Sequence, residues 1–225
     1  MDKYFFEHIP FETTKEEILL SMGMPVDHRL GDQVLEAIEL AKDIINPKAA
    51  YGEATIEART EDTVTIDGIV FHGRYLVNTL KDVDTVYPYI CTCGKEIDRY
   101  YEECGDILKQ LFLDKIMHFA LRQAAVYLSE EIDNRLGKRS ACITPGSFEE
   151  WELTEQRPLF SLLGECVSFA EIRLSDSNLM FPVKSVSGFR FKAGKEAHDC
   201  RLCLKRDCAD REAAFDLAAY ETTLC

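Results

Sequence analysis

Hydrophobic positions recur every three to four residues in two long stretches of this chain and every second residue in several short ones. In Gln33–Ile45, Val34, Ile38, Ala41 and Ile45 fall on one face and the run ends at Asn46-Pro47, so an amphipathic helix is predicted there. Asp106–Leu136 is the longest periodic run. Ile107, Leu111, Ile116, Phe119, Ala120, Ala124, Tyr127, Leu128, Ile132 and Leu136 make a broad apolar arc, and Gly137 offers a stop. A helix of that length measures about 45 Å, as long as a small domain is wide, so the rest of the chain is expected to pack around it. Thr14-x-x-Glu17 ahead of Ile18-Leu19-Leu20 has the form of a capping box, and Gly23 ends that short helix. Glu155–Leu163 is a further amphipathic turn-and-helix stopped by Gly164, and Gly73–Leu80 reads as one or two helical turns.

The period-two segments lie between these helices. Ala54, Ile56 and Ala58 alternate with polar residues; Val64 and Ile66 are separated from Ile69 and Phe71 by Asp67-Gly68, the pattern of a two-residue hairpin. Val86–Thr92, Cys166–Leu174 and Ser185–Phe191 read as strands, the last following the break at Pro182, and residues 4–11 as an edge strand. Runs of strands and helices without a regular βαβ succession predict an α+β fold: a mixed, largely antiparallel sheet packed with helices around one long central helix.

A chain of 225 residues with 46% hydrophobic content is enough for a substantial core. No run of about 18 apolar residues occurs, and Met1-Asp2-Lys3-Tyr4 does not open a secretory signal, so a cytoplasmic location is expected. The net charge of −14 argues against nucleic acid and against anionic membrane surfaces as partners. Nine cysteines in such a chain read as thiols or metal ligands rather than a disulfide framework. Cys91-Thr92-Cys93 has one residue between its thiols where zinc knuckles have two, which favours packing over metal binding.

Three places carry candidate chemistry. Pro145-Gly146 makes a turn between Lys138 and the only tryptophan, Trp151; Pro145 fixes φ and Gly146 can take φ > 0, so backbone amides there are free to face a ligand. Asp114, His118 and Arg122 form a polar stripe at spacing four on the long helix, either a solvated face or one wall of a cleft. Lys184-Ser185-Val186-Ser187-Gly188 is small and polar, as expected of a loop facing a ligand or partner. The composition then changes: residues 1–192 form the body, and 193–225 a cysteine-rich appendage with a final amphipathic helix near Ala209–Tyr220. Cys200-x-x-Cys203 and Cys208 supply three thiols, and Cys225 is the nearest fourth, with His198 as a rival; zinc and an iron–sulfur cluster both fit. Lys205, Arg206 and Arg211 would lower the thiol pKa values.

Pro145-Gly146, Trp151, Glu155-Gln156 and Leu159-Phe160-Ser161-Leu162-Leu163-Gly164 resemble the activation domain of cobalamin-dependent methionine synthase, in particular its small stand-alone homologues. Leu179-Met180-Phe181-Pro182-Val183-Lys184-Ser185-Val186-Ser187-Gly188 resembles their Met-Pro-x-Lys-Ser-Val-Ser-Gly segment, and Cys93-Gly94-Lys95-Glu96, Gly105-Asp106 and Leu113-Asp114 fit their helical half. The resemblance spans roughly residues 30–192. It implies that S-adenosylmethionine binds between the long helix and the Pro145-Gly146 loop, and that a corrinoid on a partner protein, with a reductant, is reductively methylated there. The chain would then be an accessory to a corrinoid methyltransferase, with proximity as its main contribution and no general base required. In the family the loop reads Arg-x-x-x-Gly-Tyr. Gly146 matches the glycine, while Cys142 and Ser147 stand at the arginine and tyrosine positions, with Arg139 three residues upstream. The implied cofactor-binding residues are thus Asp114, Arg139, Cys142, Pro145, Gly146 and Ser147. The loss of a five-donor fork and an aromatic ring implies weakened binding. The same replacements, with the cysteine-rich tail, fit an alternative: a metal- or iron–sulfur-carrying docking or electron-transfer module that no longer binds S-adenosylmethionine.

Overall fold

The computed structural model describes residues 1–147, 151–192 and 214–216. Cys200, Cys203, Cys208, Cys225, His198 and the helix expected near Ala209–Tyr220 lie outside the described residues, apart from 214–216. In chain order come β1 (Asp2–Phe6), α1 (Lys15–Ser21), α2 (Gly31–Ile44), β2 (Lys48–Arg59), β3 (Thr63–Ile66), β4 (Ile69–His72), α3 (Arg74–Thr79) and β5 (Thr85–Thr92). Then follow α4 (Lys95–Glu103), α5 (Ile107–Leu136), β6 (Ser140–Ile143), a 3₁₀ turn (Leu153–Glu155), α6 (Gln156–Leu163), α7 (Glu165–Ala170), β7 (Arg173–Leu174), β8 (Met180–Phe181) and β9 (Ser185–Lys192).

The main sheet runs β4-β3-β2-β5-β9-β6, with β1 also paired to β2, and β7 and β8 form a separate ribbon. Every described pairing is antiparallel. Side-chain alternation splits the sheet into two apolar faces. Ala50, Ala54, Val86, Ile90, Ala141, Ile143, Phe189 and Phe191 face one way, against α3, α6 and α7 and the indole of Trp151. Ala49, Tyr51, Tyr87, Tyr89 and Cys91 face the other way, against Ala124, Leu128 and Ile132 in the second half of α5. The first half of α5 presents Phe112, Leu113, Ile116, Met117 and Ala120 to α1, α2 and α4 in a further core. The long helix therefore serves two cores, which explains why its apolar arc is broader than one face needs.

Its ends follow the sequence signals. Asp106 caps α5 by accepting from the Leu108 and Lys109 amides, and Gly137 closes it at φ 65°. Thr14 and Glu17 form both halves of the capping box on α1. Asp67 and Gly68 both take positive φ, as a tight hairpin between β3 and β4 demands.

Three expectations are corrected. Cys166–Leu174 is mostly the helix α7, not a strand: Cys166 and Ala170, four apart, are both buried, and only Arg173–Leu174 is extended. The run is too short for its period to decide, and packing on β2 and β5 settles it. The edge strand expected at residues 4–11 is instead Asp2–Phe6, and His8 beyond it has φ 54°. Ser185–Gly188 is no loop but the first half of β9, paired along β5 from Ser185↔Thr92 to Phe191↔Val86. Gly188 is there for space: a Cβ on it would stand 2.2 Å from the Ile143 carbonyl oxygen and 3.1 Å from Tyr89 Cε1.

Candidate functional site

The sheet edge has a step. β5 pairs with β9 from Ser185 to Phe191, whereas β6 covers only Phe189–Lys192 on the opposite side. Ser185–Gly188 therefore has no strand partner on that edge among the described residues. The chain leaves β6 beside this step and makes the turn Thr144-Pro145-Gly146-Ser147. Pro145 is buried, Gly146 and Ser147 are exposed, and Gly146 takes φ 82°. The Gly146 and Ser147 amides do not face outward as expected: they donate to Trp151 O at 2.8 Å and Thr144 O at 3.2 Å. The turn is closed on itself, with Trp151 stacked on Phe189 beneath it at 5.8 Å between ring centroids. A side chain at Gly146 would press on Leu153, whose Cδ1 lies 3.1 Å from the Cβ position.

On the α5 side of the step, polar groups gather at two points. Lys184, just before β9, reaches Asp114 with Nζ 2.7 Å from Oδ1, and Lys115 flanks the same carboxylate at 3.7 Å. Farther along the strand, Arg190 pairs across the sheet with Cys142. Arg190 Nη1 donates to Ser140 Oγ at 3.0 Å, and Ser140 N and Oγ both donate to Asp133 Oδ1 at 2.8 and 2.5 Å. The guanidinium lies over the Tyr89 ring, 5.8 Å from its centroid, and the Tyr89 hydroxyl is 3.0 Å from Cys142 Sγ. Burial above all, then the Cys142 thiol, hold the Tyr89 hydroxyl well above the usual phenol range, with Arg190 acting in the opposite sense. The phenol is therefore a neutral hydrogen-bonding group. Arg190 Nε is buried and has no hydrogen-bond partner among the described residues.

Cys142, Pro145, Gly146 and Ser147 come together beside the step, and Asp114 is tied to Lys184, the residue just before β9. Arg139 sits before β6 and is exposed, whereas Arg190 stands directly opposite Cys142. Of the stripe on α5, Arg122 borders a separate groove of about 370 Å³ with Ile9, Pro10, Phe119 and Val126. Cys91 and Cys93 are buried in different cores and their thiols are pushed up by burial, the larger cause in each case. Among the described residues no group of three His, Cys, Asp or Glu is arranged to hold a metal. Arg190 and Tyr89 are absent from the sequence-based set. In β9 Arg190 lies on the face opposite Phe189 and Phe191, and its cross-strand partner depends on a register that sequence does not state.

An antiparallel sheet with α5 on one face and short helices on the other, stepped at the β9–β6 edge, is an α+β fold. Among solved structures, the MetH reactivation domain bound to AdoHcy has a similar fold, with a TM-score of 0.61 at 17% identity, covering 88% of this chain and 81% of that one. No family model matches the sequence, and no curated protein does. No described helix is long and apolar enough to cross a membrane.

Proposed function

We propose that this protein binds S-adenosylmethionine beside the Pro145-Gly146 turn and presents it to a corrinoid carried by a partner protein, supporting reductive reactivation of that corrinoid. The observation that carries this reading is the shared fold: the solved reactivation domain holds AdoHcy, the product that S-adenosylmethionine leaves after giving up its methyl group. The bound sulfonium would supply the methyl group that traps a reduced corrinoid. The chain's own residues hold and orient it. The closed Gly146 turn and the ion-paired Asp114–Lys184 are preformed, so little ordering is needed on binding. The absent arginine and tyrosine of the family loop set an expectation of weak affinity, since each lost charge-assisted contact costs roughly 1.5–3 kcal/mol.

Titration calorimetry with S-adenosylmethionine and AdoHcy tests the reading. Saturable heat is expected in the micromolar to millimolar range, abolished by Gly146→Trp, whose ring would fill the turn against Leu153. No heat at millimolar ligand ends the proposal. The second reading, a docking or electron-transfer module, draws on Cys142 and Ser147 in the loop and on residues 193–225 as an appendage carrying Cys200, Cys203, Cys208 and Cys225. Metal analysis after anaerobic purification separates the two: stoichiometric iron or zinc without ligand heat favours the module, and ligand heat favours the S-adenosylmethionine reading.

A further inference from the structure

The geometry points to Arg190 as the group that recognises the carboxylate of the bound ligand, making the site selective for amino-acid-bearing adenosyl thioethers over nucleosides that lack the carboxylate. This inference rests on the adenosyl-ligand reading above. The guanidinium carries five donors, and among the described residues one is occupied: Nη1 on Ser140 Oγ. Asp133 sits behind that hydroxyl, but its Oδ1 accepts from Ser140 N and Oγ rather than from Arg190. Arg190 Nε is buried without a partner among the described residues. A buried donor left unmade costs free energy, and such groups in folded proteins mark the place of a water, an ion or a ligand.

The surroundings favour an anion over a water. Arg190 is always charged, and its planar fork matches a carboxylate bidentately. The Tyr89 ring lies under the guanidinium, 5.8 Å from ring centroid to Cζ, and its phenol stays neutral, so it does not compete for the charge. On the next strand Cys142 stands directly opposite Arg190, and the Thr144–Ser147 turn begins two residues further on. AdoHcy and S-adenosylmethionine both carry an α-carboxylate on a flexible arm. With that group on Arg190, the adenosyl end is left to extend toward the turn and the step.

The test compares ligands before it compares proteins. On the unaltered protein, AdoHcy is expected to bind at least tenfold tighter than its decarboxylated analogue, which keeps the amine, thioether and adenosine. Arg190→Met, which retains an apolar stem and loses the fork, is expected to weaken AdoHcy by about tenfold to a hundredfold and to leave the decarboxylated analogue within about twofold. Arg190→Lys keeps the charge without the fork and is expected to fall between. Equal affinity of the unaltered protein for the two ligands overturns the assignment without any variant, as does an Arg190→Met protein that loses both ligands alike. No binding of either ligand to the unaltered protein overturns the adenosyl reading itself, which is a distinct outcome.

Discussion

Asp98 shows how one side chain ties the helical half to the approach to β9. Its Oδ1 accepts from the Val183 amide at 3.0 Å, next to Lys184, and the residue is buried. Burial is the largest influence on its carboxyl and raises it above the ordinary aspartate value, outweighing the Val183 hydrogen bond. A raised folded-state pKa means that the folded protein holds a proton the unfolded chain has released. The contribution of Asp98 to stability is therefore complete below about pH 3.8 and is lost as pH rises through the folded value. Asp98→Asn keeps an acceptor for Val183 and removes the titration. Between pH 4 and 6 the melting temperature of the variant is expected to gain on that of the parent protein as pH rises; parallel curves would refute the assignment. The sequence places Asp98 in a helix but gives no sign of this, because the partner amide lies far along the chain. Gly146 was more legible, since the Pro-Gly pair announces both a turn and a positive φ. The inward direction of its amide depends on Trp151, and the local sequence does not contain it.

At the scale of elements, β9 repays the closest comparison. Val186, Phe189 and Phe191 signalled a strand, while Lys184-Ser185-Val186-Ser187-Gly188 looked like a ligand-facing loop, because small polar residues and glycine are common to both. The polar residues here serve the sheet: Ser187 Oγ donates to Gln156 Oε1 at 2.6 Å, and Ser185 Oγ donates to Pro182 O at 2.7 Å. Gly188→Ala would push a methyl into the Ile143 carbonyl and the Tyr89 ring, and backbone atoms cannot yield as a flexible side chain can. A loss of roughly 2–4 kcal/mol is expected in urea unfolding, with the β9–β6 pairing disturbed first. A change below about 0.5 kcal/mol would mean that the strands are not packed this closely. α5 was legible nearly to the residue because its cap, its length and its stop agree. α7 was not, since six residues hold too few turns for their periodicity to outweigh tertiary packing.

Over the whole molecule, the central strands of the sheet are covered on both faces, and β5 lies in the middle with every residue after Thr85 buried. Its amides should open only with global unfolding. Hydrogen exchange is expected to be slowest in Val86–Cys91 and orders of magnitude faster at the Asp67-Gly68 tip; comparable rates at the two places would contradict the layered core. Sequence periods revealed the α+β class and the central helix, because hydrophobic burial writes itself locally. They were silent on strand order, and with it on the β9–β6 step, because that is a matter of which distant segments meet. The two polar ties between β9 and α5 have one more consequence. Lys184 grips Asp114 near the first third of the helix, and Arg190 reaches Asp133 through Ser140 near its end. These anchor points are about 28 Å apart along the helix at about 1.5 Å per residue. A rod held at two distant points can neither slide nor pivot, so the helix and this edge of the sheet are braced like a truss.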